Sequence, residues 1–351
     1  MAVVVESGPG GGGGPGRRGG VAVVRLVGLV GALVVLGAVC VVSLWLGLKS
    51  ISFADTLSVL WHNDGSTESA IVRELRLPRM VLGVLVGAAL GLAGALMQAL
   101  SRNPLADPGL LGITMGASTA VVVGIAFLGV SGTTGSVWLG FAGAALAAVV
   151  VYVLGSTGRA AVTPDRLVMA GAAITAVLLA FNSAVLLLNP ETFNQFRFWN
   201  AGSLAGRRMD TVAAVAPFLA GGIVLALGLA RPLNGMLLGE ETGRALGVHI
   251  GRTRALGALA VTVLSGAATA AAGPIAFLGL CVPHVARLLV GSDQRWVLPY
   301  SAVLAPILLL GADILGRLVV APGELAVGIV TAVLGAPVFL ALCRRRKLVQ
   351  L

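Results

Sequence analysis

A run of about twenty apolar residues, Met80–Leu100, follows directly on a basic turn, Arg76-Leu-Pro-Arg79. It ends at a polar elbow, Asn103-Pro-Leu-Ala-Asp-Pro108, and a second apolar run begins at once. Twenty apolar residues are what a helix needs to cross the ~30 Å hydrocarbon core of a bilayer. The rest of the chain repeats the theme. Apolar runs occur at Leu26–Leu48, Met80–Leu100, Leu110–Val130, Val137–Leu154, Leu167–Leu188, Thr211–Leu229, Ala255–Ala272, Ile275–Leu289, Val297–Val320 and Leu325–Leu342. The fold class expected is therefore an all-α membrane protein of about ten transmembrane helices.

Composition agrees. The 351 residues are 57% hydrophobic and only 11% charged, where an ordinary soluble domain carries about 25% charge. The net charge of +10 comes without a basic stripe interleaved with aromatics, so no nucleic-acid partner is expected. Residues 1–20 are rich in Gly and Pro and read as a disordered cytoplasmic tail ahead of a polytopic transmembrane domain, 21–351.

Charge sets the orientation. With ten spans and both termini cytoplasmic, sixteen of the 24 Lys and Arg fall inside, in agreement with the positive-inside rule. Eight fall outside: Lys49, Arg73, Arg76, Arg79, Arg197, Arg207, Arg208 and Arg317. Six of these form two clusters that run against the topogenic trend and are candidates for a binding role. Asp313 and Glu324 flank the same outer end, where pairing with Arg317 is the expected use. Ten spans divide into two sets of five, and an odd number per half makes any internal repeat an inverted one. Gly94-Ala-Leu-Met-Gln98 followed by Leu111-Gly112 is weakly echoed by Gly266-Ala-Ala-Thr-Ala270 followed by Leu278-Gly279.

Chemistry of the catalytic kind is not evident. There is no G-x-x-x-x-G-K-[ST], and the lysines are Lys49 and Lys347 alone, so no P-loop is present. His62, His249 and His284 are scattered; Cys281 and His284 share a helix face, but two ligands do not make a zinc site. Cys40, Cys281 and Cys343 form no disulfide framework. No catalytic residue and no metal ligand is assigned. Gly83, Gly87 and Gly91 form a small-xxx-small ladder suited to close helix packing. The polar segment Arg231–Arg254 contains Gly239-Glu-Glu-Thr-Gly-Arg-Ala-Leu-Gly-Val248. Ala245, Leu246 and Val248 there offer an apolar face to a soluble partner or to the membrane surface.

Taken together, these motifs resemble the FecCD-type permeases, the membrane subunits of type II ABC importers for iron-siderophores, haem and vitamin B12. The motifs are Arg76–Arg79, Gly94–Gln98, Asn103–Pro108, Leu111–Gly116, Gly239–Val248, Gly273-Pro-Ile-Ala-Phe-Leu-Gly279, Val282-Pro-His-Val-Ala-Arg287, Gly311-Ala-Asp313 and Gly335-Ala-Pro337. Ala326 stands where the family usually has proline, which suggests a less kinked start to the last span. The resemblance implies two five-helix inverted repeats and a dimer with a second permease subunit, identical or paralogous. It also implies two cytoplasmic ATPase subunits that bind ATP and magnesium, and an extracytoplasmic substrate-binding protein. The chain itself would carry no cofactor. Gly239, Glu240, Glu241, Ala245, Leu246, Gly247 and Val248 would couple to the ATPase, and Arg76, Arg79 and Arg317 would receive carboxylates of the binding protein. The fifth and tenth spans would line the pathway, with Asn182, Ser183 and Thr331 as its polar candidates. The ligand expected is a ferric siderophore, with cobalamin or haem as alternatives. An intramembrane enzyme and a structural scaffold are the rival classes; the first lacks a catalytic cluster and the second leaves the coupling motif unexplained.

Overall fold

The computed structural model describes residues 15–62, 64–130, 132–156, 164–320 and 323–344. Each of the ten apolar runs has become a helix. They are α1 (Pro15–Trp45), α4 (Leu77–Ser101), α5 (Ile113–Leu128), α6 (Thr133–Ser156), α7 (Pro164–Leu188), α9 (Met209–Gly228), α12 (Ile250–Ala272), α13 (Leu278–Val290), α14 (Gln294–Val319) and α15 (Val327–Arg344). Seven of the helices among the described residues are long and apolar enough to cross a membrane, and three more are apolar but shorter. The tail expected to be disordered falls mostly on residues outside those described; α1 begins at Pro15.

Short helices fill the connections: α2 (Phe53–Trp61), α3 (Thr67–Ala70), α8 (Pro190–Asn200), α10 (Ala230–Leu237) and α11 (Glu240–Ala245). Three of them start on side-chain caps, Ser52 accepting from the Asp55 amide, Ser66 from the Ser69 amide and Asn189 from the Thr192 amide. Such caps satisfy amides that have no partner within the helix. A turn of π-helix, Ile71–Arg76, joins α3 to α4 without a break.

The core is built around α4 and α12, which lie against each other and bury most of their surfaces. The glycine ladder explains how closely α4 is approached. A Cβ on Gly87 would lie 2.6 Å from the Pro306 Cα of α14, and one on Gly91 would lie 2.5 Å from the Ser301 carbonyl oxygen. One on Gly94 would overlap the Gly279 carbonyl of α13. Backbone meets backbone at these points, where no side chain can yield. Gly94→Val is therefore expected to force α4 and α13 apart, at a cost at or above the ~1–3 kcal/mol typical of overpacking. The check is the yield of monodisperse protein extracted from membranes, which should fall severalfold, while Gly221→Ala, which meets open space, should leave it unchanged.

The halves share a plan. In each, the second span is central: α4 packs on α13 and α14, and α12 packs on α5 and α6. In each, the second span ends at an irregular elbow, and a short third helix is entered through a left-handed residue, Gly112 (φ 72°) before α5 and Phe277 (φ 66°) before α13. Irregular backbone at membrane depth is tolerated where it is buried in protein. The second elbow meets that condition: Ser203 donates its amide to Ala272 O at 2.7 Å, and Gly202 and Gly328 lie against Pro274 O.

Candidate functional site

One end of α4 carries a buried charge network. Arg76, Arg79 and Arg317 are 6%, 9% and 4% exposed, and Asp313 is 1% exposed. The Arg79 guanidinium grips Asp313 with two parallel bonds, Nε to Oδ2 at 3.0 Å and Nη2 to Oδ1 at 2.8 Å. Its Nη1 donates to Glu324 at 2.8 Å. Arg317, one turn after Asp313 on α14, donates Nη2 to Asp313 Oδ2 at 2.8 Å. The network thus fastens α4 to α14 and to the strand of chain leading into α15.

The remaining donors close the end of α1. Arg317 reaches the carbonyls of Ser43 (3.0 Å) and Leu46 (2.8 Å) and the Ser43 hydroxyl (2.8 Å). Arg76 reaches those of Leu44, Trp45 and Lys49. The last carbonyls of a helix have no partner within it and carry the negative end of its dipole, so a cation is the fitting cap. This matters because α1 is otherwise almost entirely exposed along its span. Along its length α1 also packs on α14, where the Tyr300 hydroxyl donates to Arg25 O at 2.7 Å.

Arg76, Arg79 and Arg317 are the residues expected to face outward and receive a partner's carboxylates. Their guanidinium groups are turned inward and occupied by acceptors of this chain. Asp313 meets Arg317, as expected, and Arg79 as well, while Glu324, expected to pair with Arg317, meets Arg79. The basic groups exposed at this end, among the described residues, are Lys49, paired with Glu68, Arg197, stacked over Phe198 at 4.7 Å, and Arg208.

At the opposite end of α4 lies the Gly239–Val248 segment. Gly239 (φ 108°) and Gly247 (φ 81°) bracket the six-residue α11. Gly243 sits on the backbone of Gly235 in α10, and the Val248 side chain covers Gly235. Glu241, Ala245 and Leu246 remain exposed, Leu246 at 64%. The apolar face expected from Ala245, Leu246 and Val248 is therefore narrower than the sequence suggested: Val248 is spent on anchoring α11. The side chain of Glu240 lies outside the described set.

Three residues that sequence reasoning did not single out connect this segment to the bundle. Arg102, at the end of α4, donates Nη2 to Met236 O of α10 at 2.7 Å. Asn234 of α10 donates Nδ2 to Asp293 Oδ1 and accepts the Gln294 amide at 2.8 Å. α10 is thus hydrogen-bonded both to the α4–α5 elbow and to the α13–α14 turn. Burial pushes the Asp293 carboxyl up, but hydrogen bonds from Arg295 and Asn234 outweigh it and hold the group below its ordinary value.

The pathway candidates are dispersed. Asn182 is buried in α7, with no partner for its Oδ1. Ser183 is exposed and bonds back to Leu179 O, and Thr331 is buried and bonds back to Gly328 O. Ala326, in place of the usual proline, accepts the amides of Ile329 and Val330 at the start of α15.

A short helix pair bonded to two membrane elbows, on a ten-helix bundle with a central α4–α12 pair, matches known proteins throughout. Residues 33–345 match the FecCD transport family. The chain belongs to that family. It is 48% identical to the ferric enterobactin transport system permease protein FepD of Escherichia coli (strain K12), over 93% of this chain and 98% of that one. It is 35% identical to the hemin transport system permease protein HmuU of Yersinia pestis, over 89% and 92%. Among solved structures, an inward-facing metal-chelate-type ABC transporter superposes with a TM-score of 0.80 at 26% identity, covering 90% of this chain and 98% of that one. The FecCD chain is thus a membrane permease subunit of the ABC transporter type. Within the FecCD fold, the Arg76-Leu-Pro-Arg79 motif is bonded to acceptors of this chain, and the Gly239–Val248 motif packs on α10 at the opposite end of α4.

Proposed function

We propose that this chain is the translocation subunit of an ATP-driven importer of ferric siderophores. The observation that carries the ligand class is the near full-length 48% identity to a ferric enterobactin permease. Relatives named for iron(3+)-citrate and iron(3+)-hydroxamate import, at 43% and 38% identity, support the same class. The relatives named for hemin and cobalamin keep haem and cobalamin as the alternatives.

The energy comes from partners. Two cytoplasmic ATPase subunits bind ATP and magnesium, and this chain, without a P-loop, needs no cofactor of its own. A second permease subunit, identical or paralogous, completes the pathway between α7 and α15. A substrate-binding protein delivers the chelate to the outer face, where Arg197 and Arg208 are exposed to meet acidic side chains. Both termini lie in the cytoplasm of a bacterial cell whose inner membrane holds the bundle, in keeping with the distribution of Lys and Arg.

Motion enters through α11. ATPase closure moves α10 with it, and the bonds from Met236 to Arg102 and from Asn234 to Asp293 carry the shift to the two elbows. The test is reconstitution of the permease, ATPase and binding protein in proteoliposomes with radiolabelled ferric enterobactin. Uptake that needs ATP and the binding protein is expected, with haem and cobalamin failing to compete. Preferential uptake of haem or cobalamin overturns the ligand class, and no ATP-dependent uptake of any of the three overturns the importer.

A further inference from the structure

Helix α2 carries an apolar stripe that its own bundle does not use. Phe53, Leu57 and Trp61 are exposed, Trp61 at 79%. They stand four residues apart and so share one face of the helix. A second face is committed to protein: Thr56 and Val59 are buried, and Val59 belongs to a small cluster with Ile51 and Val72. A third face, with Asp55, Ser58 and His62, is polar and exposed.

Two contacts fix the level at which α2 lies. Phe53, its first residue, meets the Trp45 ring edge-on at 5.8 Å, and Trp45 is the last residue of α1. At the other end, the Val59 and Leu60 carbonyls accept from Arg73 at 2.7 and 2.9 Å. Arg73 precedes by one turn Arg76, which caps α1 at the Leu44, Trp45 and Lys49 carbonyls. The helix is about 13 Å long at 1.5 Å per residue, yet both its ends are tied to groups within one turn of the end of α1. It therefore lies across this end of the bundle and does not stand away from it.

The stripe continues a lipid-facing surface. α1 is a membrane span exposed along nearly all of its length, and Trp45 and Leu48 at its end are exposed as well. Aromatic side chains collect where hydrocarbon gives way to headgroups, and the headgroup layer adds roughly 5–7 Å on each side of the hydrocarbon core. We infer that α2 is an interfacial helix, lying in the headgroup layer of the leaflet at this end of α1. Phe53, Leu57 and Trp61 rest on the acyl chains, while Asp55, Ser58 and His62 meet water. This is the arrangement of helices that bind a lipid surface in its plane. It needs only that α1 spans the membrane; which leaflet it is follows from the proposed orientation. Through Arg73 and the Val59–Val72 contact, a lipid-seated α2 steadies the π-helical turn that leads into α4.

The test is fluorescence quenching of the assembled transporter in proteoliposomes of phosphatidylcholine brominated either near the headgroup or near the chain ends. The emission of Trp61 is the difference between the wild type and Trp61→Phe, a change that keeps an aromatic ring at an exposed position. The shallow bromines should quench that emission at least twofold and more strongly than the deep ones. Leu57→Asp, which places a charge within the stripe, should cut the quenching by at least half. No quenching by either lipid, stronger quenching by the deep bromines, or full quenching in the Leu57→Asp variant overturns the inference. Quenching relieved by adding the substrate-binding protein marks a docking face. Quenching seen in the isolated permease and absent from the assembled transporter marks a subunit interface. Either of these outcomes also overturns it.

Discussion

Replacing Asp313 with alanine is expected to destabilise the permease more than any other single change of charge. Asp313 is the common acceptor of Arg79 and Arg317. Without it, two buried guanidinium groups face each other, and only Arg79 keeps a carboxylate, Glu324. Breaking a buried pair by removing one partner costs about 3–5 kcal/mol, because a desolvated charge is left uncompensated. Glu324→Gln should cost less, since Glu324 is a quarter exposed and Arg79 retains Asp313. Removing Lys49 from the exposed Lys49–Glu68 pair should leave stability unchanged, as solvent screens such pairs. The measurement is the thermal midpoint of the purified permease in detergent, ranked across these three variants. A variant with Arg79→Met, Asp313→Leu and Arg317→Met should recover part of the loss, because removing the whole buried group also removes its desolvation cost. If Asp313→Ala melts with the wild type, the network is not what holds α1, α4 and α14 together.

The same network shows where sequence reading stops. The ten apolar runs were legible because burial in a bilayer needs only length and hydropathy, both local properties. Even the breaks at Gly273-Pro274 and at residues 291–295 fell where the helices end. The connecting helices α2, α8 and α10 went unread, because each is short and mixed in polarity, with no apolar run to announce it. A cap such as Ser52 with Asp55 three residues on was the available signal. The pairing of Asp313 with Arg317 was accessible from their spacing of four. The grip of Arg79 on Asp313 spans 234 residues, and no local pattern foretells it.

The inward turn of the three arginines has a physical cause. Positive charge on the outer side defies the topogenic bias, and read from sequence alone it points to a partner. The bias concerns charges that meet solvent and headgroups. An arginine that caps the carbonyls of a neighbouring helix, as Arg76 and Arg317 do for α1, is held by the interior. Burial is what separates the two cases, and burial at a helix end is not written in the sequence around it.

Coupling gives the largest functional effect expected. Leu246 is exposed at the tip of a segment whose neighbours, Gly243 and Val248, are committed to α10. An apolar side chain left largely exposed beside an anchored segment is suited to a partner's cleft. Truncation of a central anchor of this kind typically costs 2 kcal/mol or more, about thirtyfold in affinity. Leu246→Asp should therefore lower ATPase association at least thirtyfold and abolish uptake, while the thermal midpoint of the permease stays put. Reversing Glu240 and Glu241 to lysine should weaken association less, because charges at an exposed rim set register and encounter rate more than affinity. Asn234→Ala makes the sharper test of the relay. It touches no partner, yet it removes the bonds from α10 to Asp293 and Gln294. ATPase binding should be normal in that variant, with hydrolysis retained and uptake per ATP reduced severalfold. Uptake that falls only in proportion to hydrolysis would mean that α10 does not carry the motion, and that α11 acts on the bundle by another contact.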